Sequence, residues 1–208
     1  MCDYFGNEKH INIPYGVKNI GDYAFSKGTF EPNKTLVSVR IPEGVVQIGM
    51  CAFLNCVNLT TIEMPESVTV IGRSAFRGCK SLANAEGFVI VRGVLYDYYG
   101  ARKNVKISDD VSCVGEQAFS NSKKTTNIVL PQSVKELDYY AFAHCYALES
   151  IVIPETVVKI DQRAFYSCDK LLYVYYQGTE DEWGQIVTGK DFINLNNVTV
   201  VFNYVSED

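Results

Sequence analysis

The chain has 208 residues, 47% hydrophobic and 21% charged, a composition that buries a core rather than staying disordered. Its net charge of −5 argues against a nucleic-acid binder, which needs a basic surface to displace counterions from phosphates. Its apolar runs are only a few residues long, too short for a helix to cross a bilayer, so no membrane insertion is expected.

Residues 1–10 hold Tyr4 and Phe5 but no capping pattern. This N-terminal edge reads as cut from a longer chain. It lacks a basic region followed by an apolar run, so neither signal peptide nor anchor is read in it.

From residue 11 one pattern recurs, I-P-x-x-V-x-x-I-G-x-x-A-F-x-x-C. It covers Ile13–Gly28, Ile41–Cys56, Met64–Cys79, Ile107–Ser122, Leu130–Cys145 and Ile153–Cys168. The Phe of each A-F pair falls at 25, 53, 76, 119, 142 and 165, a period of 23 with two longer steps. The first longer step carries extra residues near Phe30–Asn33; the second makes room for a divergent coil over 87–106. A unit this short cannot cover its own apolar side, so the units stack into a solenoid.

Within each coil, segments such as Leu36–Ile41, Leu59–Met64 and Leu148–Ile153 alternate as short strands with one face inward. The following Pro cannot donate to a ladder and ends the strand. V-x-x-I then turns two more apolar groups inward. The next residue, Gly at 21, 49, 72 and 115 or Asp at 138 and 161, suits a positive-φ turn. The A-F-x-x-C stretch sets a small residue, an aromatic and a thiol on one side of about one helical turn. At the C-terminus, Thr179–Glu182 fits a capping box opening a short helix with Trp183, Ile186 and Val187, and Val198–Asn203 forms a closing strand.

On these residues the sequence resembles the BspA-like leucine-rich repeats over about 11–208. The resemblance implies an α/β repeat protein: a leucine-rich-repeat solenoid with short parallel strands on one face and short helical turns or loops opposite. It places the solenoid at 11–172 and a family-type cap at 173–208, and it likens the divergent coil to a hairpin-bearing coil of the family. Local departures are Ser108 for Pro, Ser122 and Gly28 for Cys, and Lys124–Asn127 where a Leu belongs, so looser packing is expected around 122–127.

The chemistry is sparse. Cys56, Cys79, Cys145 and Cys168 share one repeat phase, which reads as a buried ladder of small hydrophobes in preference to Cys56/Cys79 and Cys145/Cys168 disulfides. Gly28 and Ser122 in the same phase show that a small group is wanted there. His144 next to Cys145 reads as a surface position, not a catalytic partner. No nucleophile elbow, zinc motif, phosphate loop or dinucleotide fingerprint occurs, so no enzyme, metal or cofactor is expected. N-x-T triplets start at Asn33, Asn58 and Asn197.

Surface remains. The positions flanking the inward strand residue are Ser38 and Arg40, Thr61 and Glu63, Asn127 and Val129, Ser150 and Val152, and Tyr173 and Tyr175. This strip turns apolar and aromatic toward the C-terminus, as protein contacts do. A second aromatic group, Tyr96, Tyr98 and Tyr99 with Arg102 and Lys103, lies on the divergent coil. The reading is a monomeric, non-enzymatic binding scaffold. The resemblance implies an extracellular or cell-surface adhesion module that takes a host matrix or cell-surface protein. The alternatives are a structural spacer presenting an appended domain, and a carbohydrate-binding module using the tyrosines as glycan platforms.

Overall fold

A computed structural model of the chain describes residues 8–28, 31–161, 163–188 and 198–205. The chain divides into two compact units, Met1–Val91 and Arg92–Asp208, the division falling inside the divergent coil. The first unit holds β1 (His10–Asn12), β2 (Asn19–Ile20), β3 (Ser38–Arg40), β4 (Gln47–Ile48), β5 (Thr61–Glu63), β6 (Val70–Ile71), a 3-10 turn at Lys80–Leu82 and β7 (Phe88–Val91). The second begins with β8 (Val94–Tyr98), β9 (Asn104–Lys106), β10 (Cys113–Val114), β11 (Asn127–Val129), β12 (Glu136–Leu137), β13 (Ser150–Ile153) and β14 (Lys159–Ile160). It ends with β15 (Tyr173–Tyr176), α1 (Glu180–Gln185), β16 (Val187–Thr188) and β17 (Thr199–Val201).

Each unit is a parallel β-solenoid with two strand ladders. The expected ladder is β1-β3-β5 in the first unit and β9-β11-β13-β15-β17 in the second. Its inward residues Val39, Val105, Ile128, Ile151 and Val174 are buried, and each coil's Pro begins the turn after its strand. The V-x-x-I stretch builds a second ladder, β2-β4-β6 in the first unit and β8-β10-β12-β14-β16 in the second. Of the two arrangements the sequence left open opposite the strands, loops are what forms. Among the described residues α1 is the one α-helix, and the A-F-x-x-C stretches are turns.

Those turns carry a further hydrogen-bond ladder. The Phe N–H donates to the Ala carbonyl one coil on at 2.8 Å for Phe25 to Ala52, Phe53 to Ala75, Phe119 to Ala141 and Phe142 to Ala164. To aim these groups, the residue before each Ala adopts a left-handed backbone: Tyr23, Cys51, Ser74, Gln117, Tyr140 and Arg163 have φ between 54° and 62°. The glycines two places earlier are therefore not the positive-φ residues. Their role is close approach: a Cβ on Gly49 would lie 2.5 Å from the Asp22 nitrogen, and one on Gly72 would lie 2.4 Å from the Met50 nitrogen. Where Asp138 stands instead, its carboxylate accepts the Tyr139 N–H at 2.9 Å.

Inside, the ladder aromatics stack. Phe25, Phe53 and Phe76 lie 4.8 and 5.1 Å apart in the first unit. In the second, Phe119, Phe142 and Phe165 lie 5.3 and 5.2 Å apart. Tyr98 heads that second stack, 4.8 Å from Phe119. The cysteine ladder consists of free thiols. Cys79, Cys145 and Cys168 each donate at 3.1 Å to the carbonyl of the preceding coil's Phe, and Cys56 does so at 3.4 Å. In the first coil, counting back from Leu36 puts Asn33 rather than Gly28 in the cysteine place. Its carboxamide donates to the Phe25 carbonyl at 2.9 Å, so this buried Asn33 is no glycan acceptor.

The capping box forms as read, over a shorter helix than expected. Thr179 Oγ1 accepts the Glu182 N–H at 3.2 Å, and Glu182 Oε2 accepts the Thr179 N–H at 2.8 Å. Ile186 is the extended residue that ends the helix and Val187 lies in β16, so neither is part of α1. Trp183 covers the buried Tyr176 ring at 5.0 Å, and β17 pairs with β15. The Asn197 triplet begins outside the described residues.

Candidate functional site

The strand face is built by register. In parallel strands the residues flanking the inward one lie beside their equivalents one coil away, so each position becomes a row. In the first unit His10 Nδ1 lies 2.8 Å from Ser38 Oγ. The next row holds Arg40 and Glu63, an exposed ion pair at 3.0 Å, beside Thr61. These two charges with Ile41, Pro42, Glu43, Met64 and Pro65 line a shallow depression of about 410 Å³.

In the second unit one row is polar. Asn127 Nδ2 donates to Asn104 Oδ1 at 2.7 Å, and Ser150 Oγ donates to Asn127 Oδ1 at 2.7 Å. That row runs on into Tyr173, which is 44% exposed. The neighbouring row is Lys106, Val129, Val152, Tyr175 and Val201. Tyr173 and Tyr175 stack at 5.8 Å, and Tyr175 meets Tyr204 at 4.6 Å, so three tyrosines converge at this end of the face. Asn104, Lys106 and Tyr204 are members the sequence reading missed.

Three expected surface residues are corrected. Val152 is only 7% exposed, because it sits in register between Val129 and the large Tyr175. Tyr96 and Tyr98 are 4% and 9% exposed. Tyr98 fills the place of a ladder Phe, and burial raises the Tyr96 phenol pKa above its ordinary value. Of that group Tyr99, Arg102 and Lys103 stay exposed, with the Tyr99 hydroxyl donating to Asp97 at 2.8 Å. The divergent coil therefore offers no aromatic platform of the kind expected.

A different aromatic cluster lies on the turns of the second unit. Tyr140 packs edge-on to Tyr139 at 4.1 Å and to Tyr166 at 5.7 Å. His144 stands perpendicular to Tyr166 at 5.3 Å. Arg163 Nη1 donates to the Tyr140 hydroxyl at 3.0 Å, and the Tyr146 hydroxyl lies 3.0 Å from His144 Nδ1. Hydrogen bonds from Tyr139 and Arg163 hold the Tyr140 phenol below its usual pKa. These residues fall in two runs, 139–146 and 163–166, which the superposition of two coils brings together, and the signal is the aromatic filling of turn phases that are polar in the preceding coil.

His144 and Cys145 do not form a catalytic pair. The imidazole engages Tyr146 on the surface, while the thiol donates inward to Phe119. Burial pushes the Cys56 thiol up to about 12, and hydrogen bonding to Cys145 with burial raises that of Cys168, the opposite of nucleophile activation. Among the described residues no group of three His, Cys, Asp or Glu could hold a metal ion, and no helix is long and apolar enough to cross a membrane.

The coil geometry defines a parallel solenoid protein of leucine-rich-repeat type. The chain belongs to the family described as BspA type Leucine rich repeat region, which matches in six copies over residues 3–87 and 94–203. No curated protein matches the chain. Among solved structures it is similar to a T. pallidum leucine-rich repeat protein at 27% identity and TM-score 0.44, over 83% of this chain and 72% of that one. It is also similar to a leucine-rich repeat protein from Bacteroides ovatus at 27% identity and TM-score 0.48, over 82% of this chain and 49% of that one. A leucine rich cell surface protein from Faecalibacterium prausnitzii matches at 22% identity and TM-score 0.45, over 88% of this chain and 63% of that one.

Proposed function

We propose that the chain is a non-enzymatic scaffold that binds another protein through the strand face of its second unit, and that it works at the cell surface in adhesion. The observation that carries this is the convergence of Tyr173, Tyr175 and Tyr204 beside a hydrogen-bonded row of Asn104, Asn127 and Ser150. Tyrosines give large contact area at low entropic cost, and rigid amide rows give orientation. Family membership supports the scaffold role, and the matrix or cell-surface partner follows from what the family resemblance implies. The Arg40–Glu63 row of the first unit is a candidate specificity element, charged where the second unit is aromatic.

Surface plasmon resonance against a panel of purified extracellular-matrix proteins tests this. Tyr173→Ala with Tyr175→Ala is expected to weaken binding by about two orders of magnitude, as for two hot-spot residues. Binding that ignores both substitutions, or no binding to any panel member, contradicts the proposal. A pure spacer predicts the second outcome.

A further inference from the structure

The turns of the second unit carry a feature that the repeat itself does not require. The residue before the A-F pair is Gln117 in one coil, Tyr140 in the next and Arg163 in the third; the residue after the Phe is Ser120, Ala143 and then Tyr166. The preceding coil folds the same turn with polar residues, so the aromatics are not there to make the fold. They are also not buried for stability: Tyr146 and Tyr166 are each 48% exposed.

Their arrangement is fixed by side-chain contacts. Tyr166 is bracketed by two rings at right angles to it, Tyr140 at 83° and His144 at 89°. Arg163 anchors the Tyr140 hydroxyl, and Tyr146 anchors the His144 ring. The Tyr140 oxygen accepts from Arg163, and His144 has Nε2 left once Nδ1 is engaged. The result is a half-exposed aromatic surface edged by hydroxyl, imidazole and guanidinium groups.

We propose that this cluster, Tyr139, Tyr140, His144, Tyr146, Arg163 and Tyr166, is a binding site for a neutral carbohydrate, with a pyranose ring seated on the tyrosines. The C–H face of a sugar carries partial positive charge and meets the negative face of an aromatic quadrupole. Its hydroxyls both donate and accept, matching a rim of mixed donors and acceptors. Size favours a sugar over a protein. Two coils span roughly 10 Å along the stack, an extent that suits one or two sugar rings and falls far short of the ~800 Å² per partner of a stable protein interface. Charge favours a neutral sugar over an acidic one, since Arg163, the cluster's one guanidinium, is already engaged with the Tyr140 hydroxyl at 3.0 Å. The site is separate from the strand face, and its existence does not depend on the protein-binding proposal.

The test uses the intact chain on an array of neutral oligosaccharides (cellotetraose, xylotetraose, mannotriose, lacto-N-tetraose) and acidic ones (3′-sialyllactose, trigalacturonate), followed by NMR titration of hits. Binding of at least one neutral member is expected, weakened about tenfold by Tyr166→Ala and by Tyr140→Ala and unchanged by Tyr175→Ala. Thermal melting of each variant shows that it is folded, and Arg163→Lys gives a milder change at the same site. Binding of no neutral member, preference for the acidic members, insensitivity to both Tyr166→Ala and Tyr140→Ala, or a cluster that engages only protein would each overturn the proposal. Loss on Tyr175→Ala alone would assign the sugar to the strand face instead.

Discussion

The hydroxyls of Ser122 and Thr125 lie 2.8 Å apart, the first in the place of a ladder cysteine and the second in the place of a ladder leucine. Thr125 is 1% exposed and passes its hydrogen bonding on to the Arg102 carbonyl at 3.2 Å, one coil back. Here, where looser packing is expected from sequence, two polar replacements, Thr125 buried and Ser122 half-buried, satisfy each other at the edge of the interior. Thr125→Val strips the Ser122 hydroxyl of its partner and is expected to cost about 1–3 kcal/mol. Ser122→Cys with Thr125→Leu restores the pattern of the neighbouring coils and is expected to cost clearly less than Thr125→Val. Urea unfolding of both variants measures the difference.

The glycines that follow V-x-x-I separate two explanations. If Gly72 served a positive φ, its replacement would strain only the local backbone. Its Cβ would instead meet backbone atoms of the preceding coil, 2.4 Å from the Met50 nitrogen and 2.6 Å from the Gly49 carbonyl carbon. Gly72→Ala is therefore expected to destabilise by roughly 2–4 kcal/mol, since a backbone neighbour cannot rotate away. Gly184, inside α1 with nothing within 4 Å of its Cβ position, is the control. Gly184→Ala is expected to gain about 0.5–1 kcal/mol from helix propensity. Thermal unfolding reads both.

Cys56 gives the alkaline limb of stability a definite sign. Burial raises its thiol from 9.0 to about 12 in the folded chain, so above pH 9 the folded state holds a proton that the unfolded state releases. The contribution is present below pH 9 and is lost as pH rises from there toward about 12. Cys56→Ala is expected to flatten that decline, as seen in unfolding free energies measured from pH 8 to 10.5. In the folded wild type at pH 8, Cys56 is expected to resist iodoacetamide.

Most of the scaffold was legible because the repeat writes each site several times. The I-P step marks strand ends, the A-F pair marks the stacked aromatics, and Thr179 with Glu182 announces the cap. The second strand ladder was harder to read, since two-residue strands such as Gln47–Ile48 and Glu136–Leu137 are too short to show alternation. The glycine role is ambiguous in the sequence because conformational freedom and close approach favour the same residue, and only the neighbouring coil tells them apart. Tyr98 looked exposed because the divergent coil hides its phase, although it stands one shortened coil ahead of Phe119. Val152 looked exposed because strand alternation says nothing of how far Tyr175 reaches over its neighbour. The turn cluster is hidden for a related reason: His144 has Cys145 beside it in sequence, whereas the ring that stands perpendicular to it is Tyr166, one coil away.

The central claim is that the strand face of the second unit meets a protein partner. Its most direct test is photo-cross-linking of the matrix-protein panel to chains carrying benzoylphenylalanine at position 173 or, as a control, at position 15. Tyr15 is 87% exposed on a turn of the first unit and Tyr173 is 44% exposed beside Tyr175. Cross-linking from position 173 and not from position 15 is the predicted result. Equal labelling from both positions, or none from position 173, contradicts the claim.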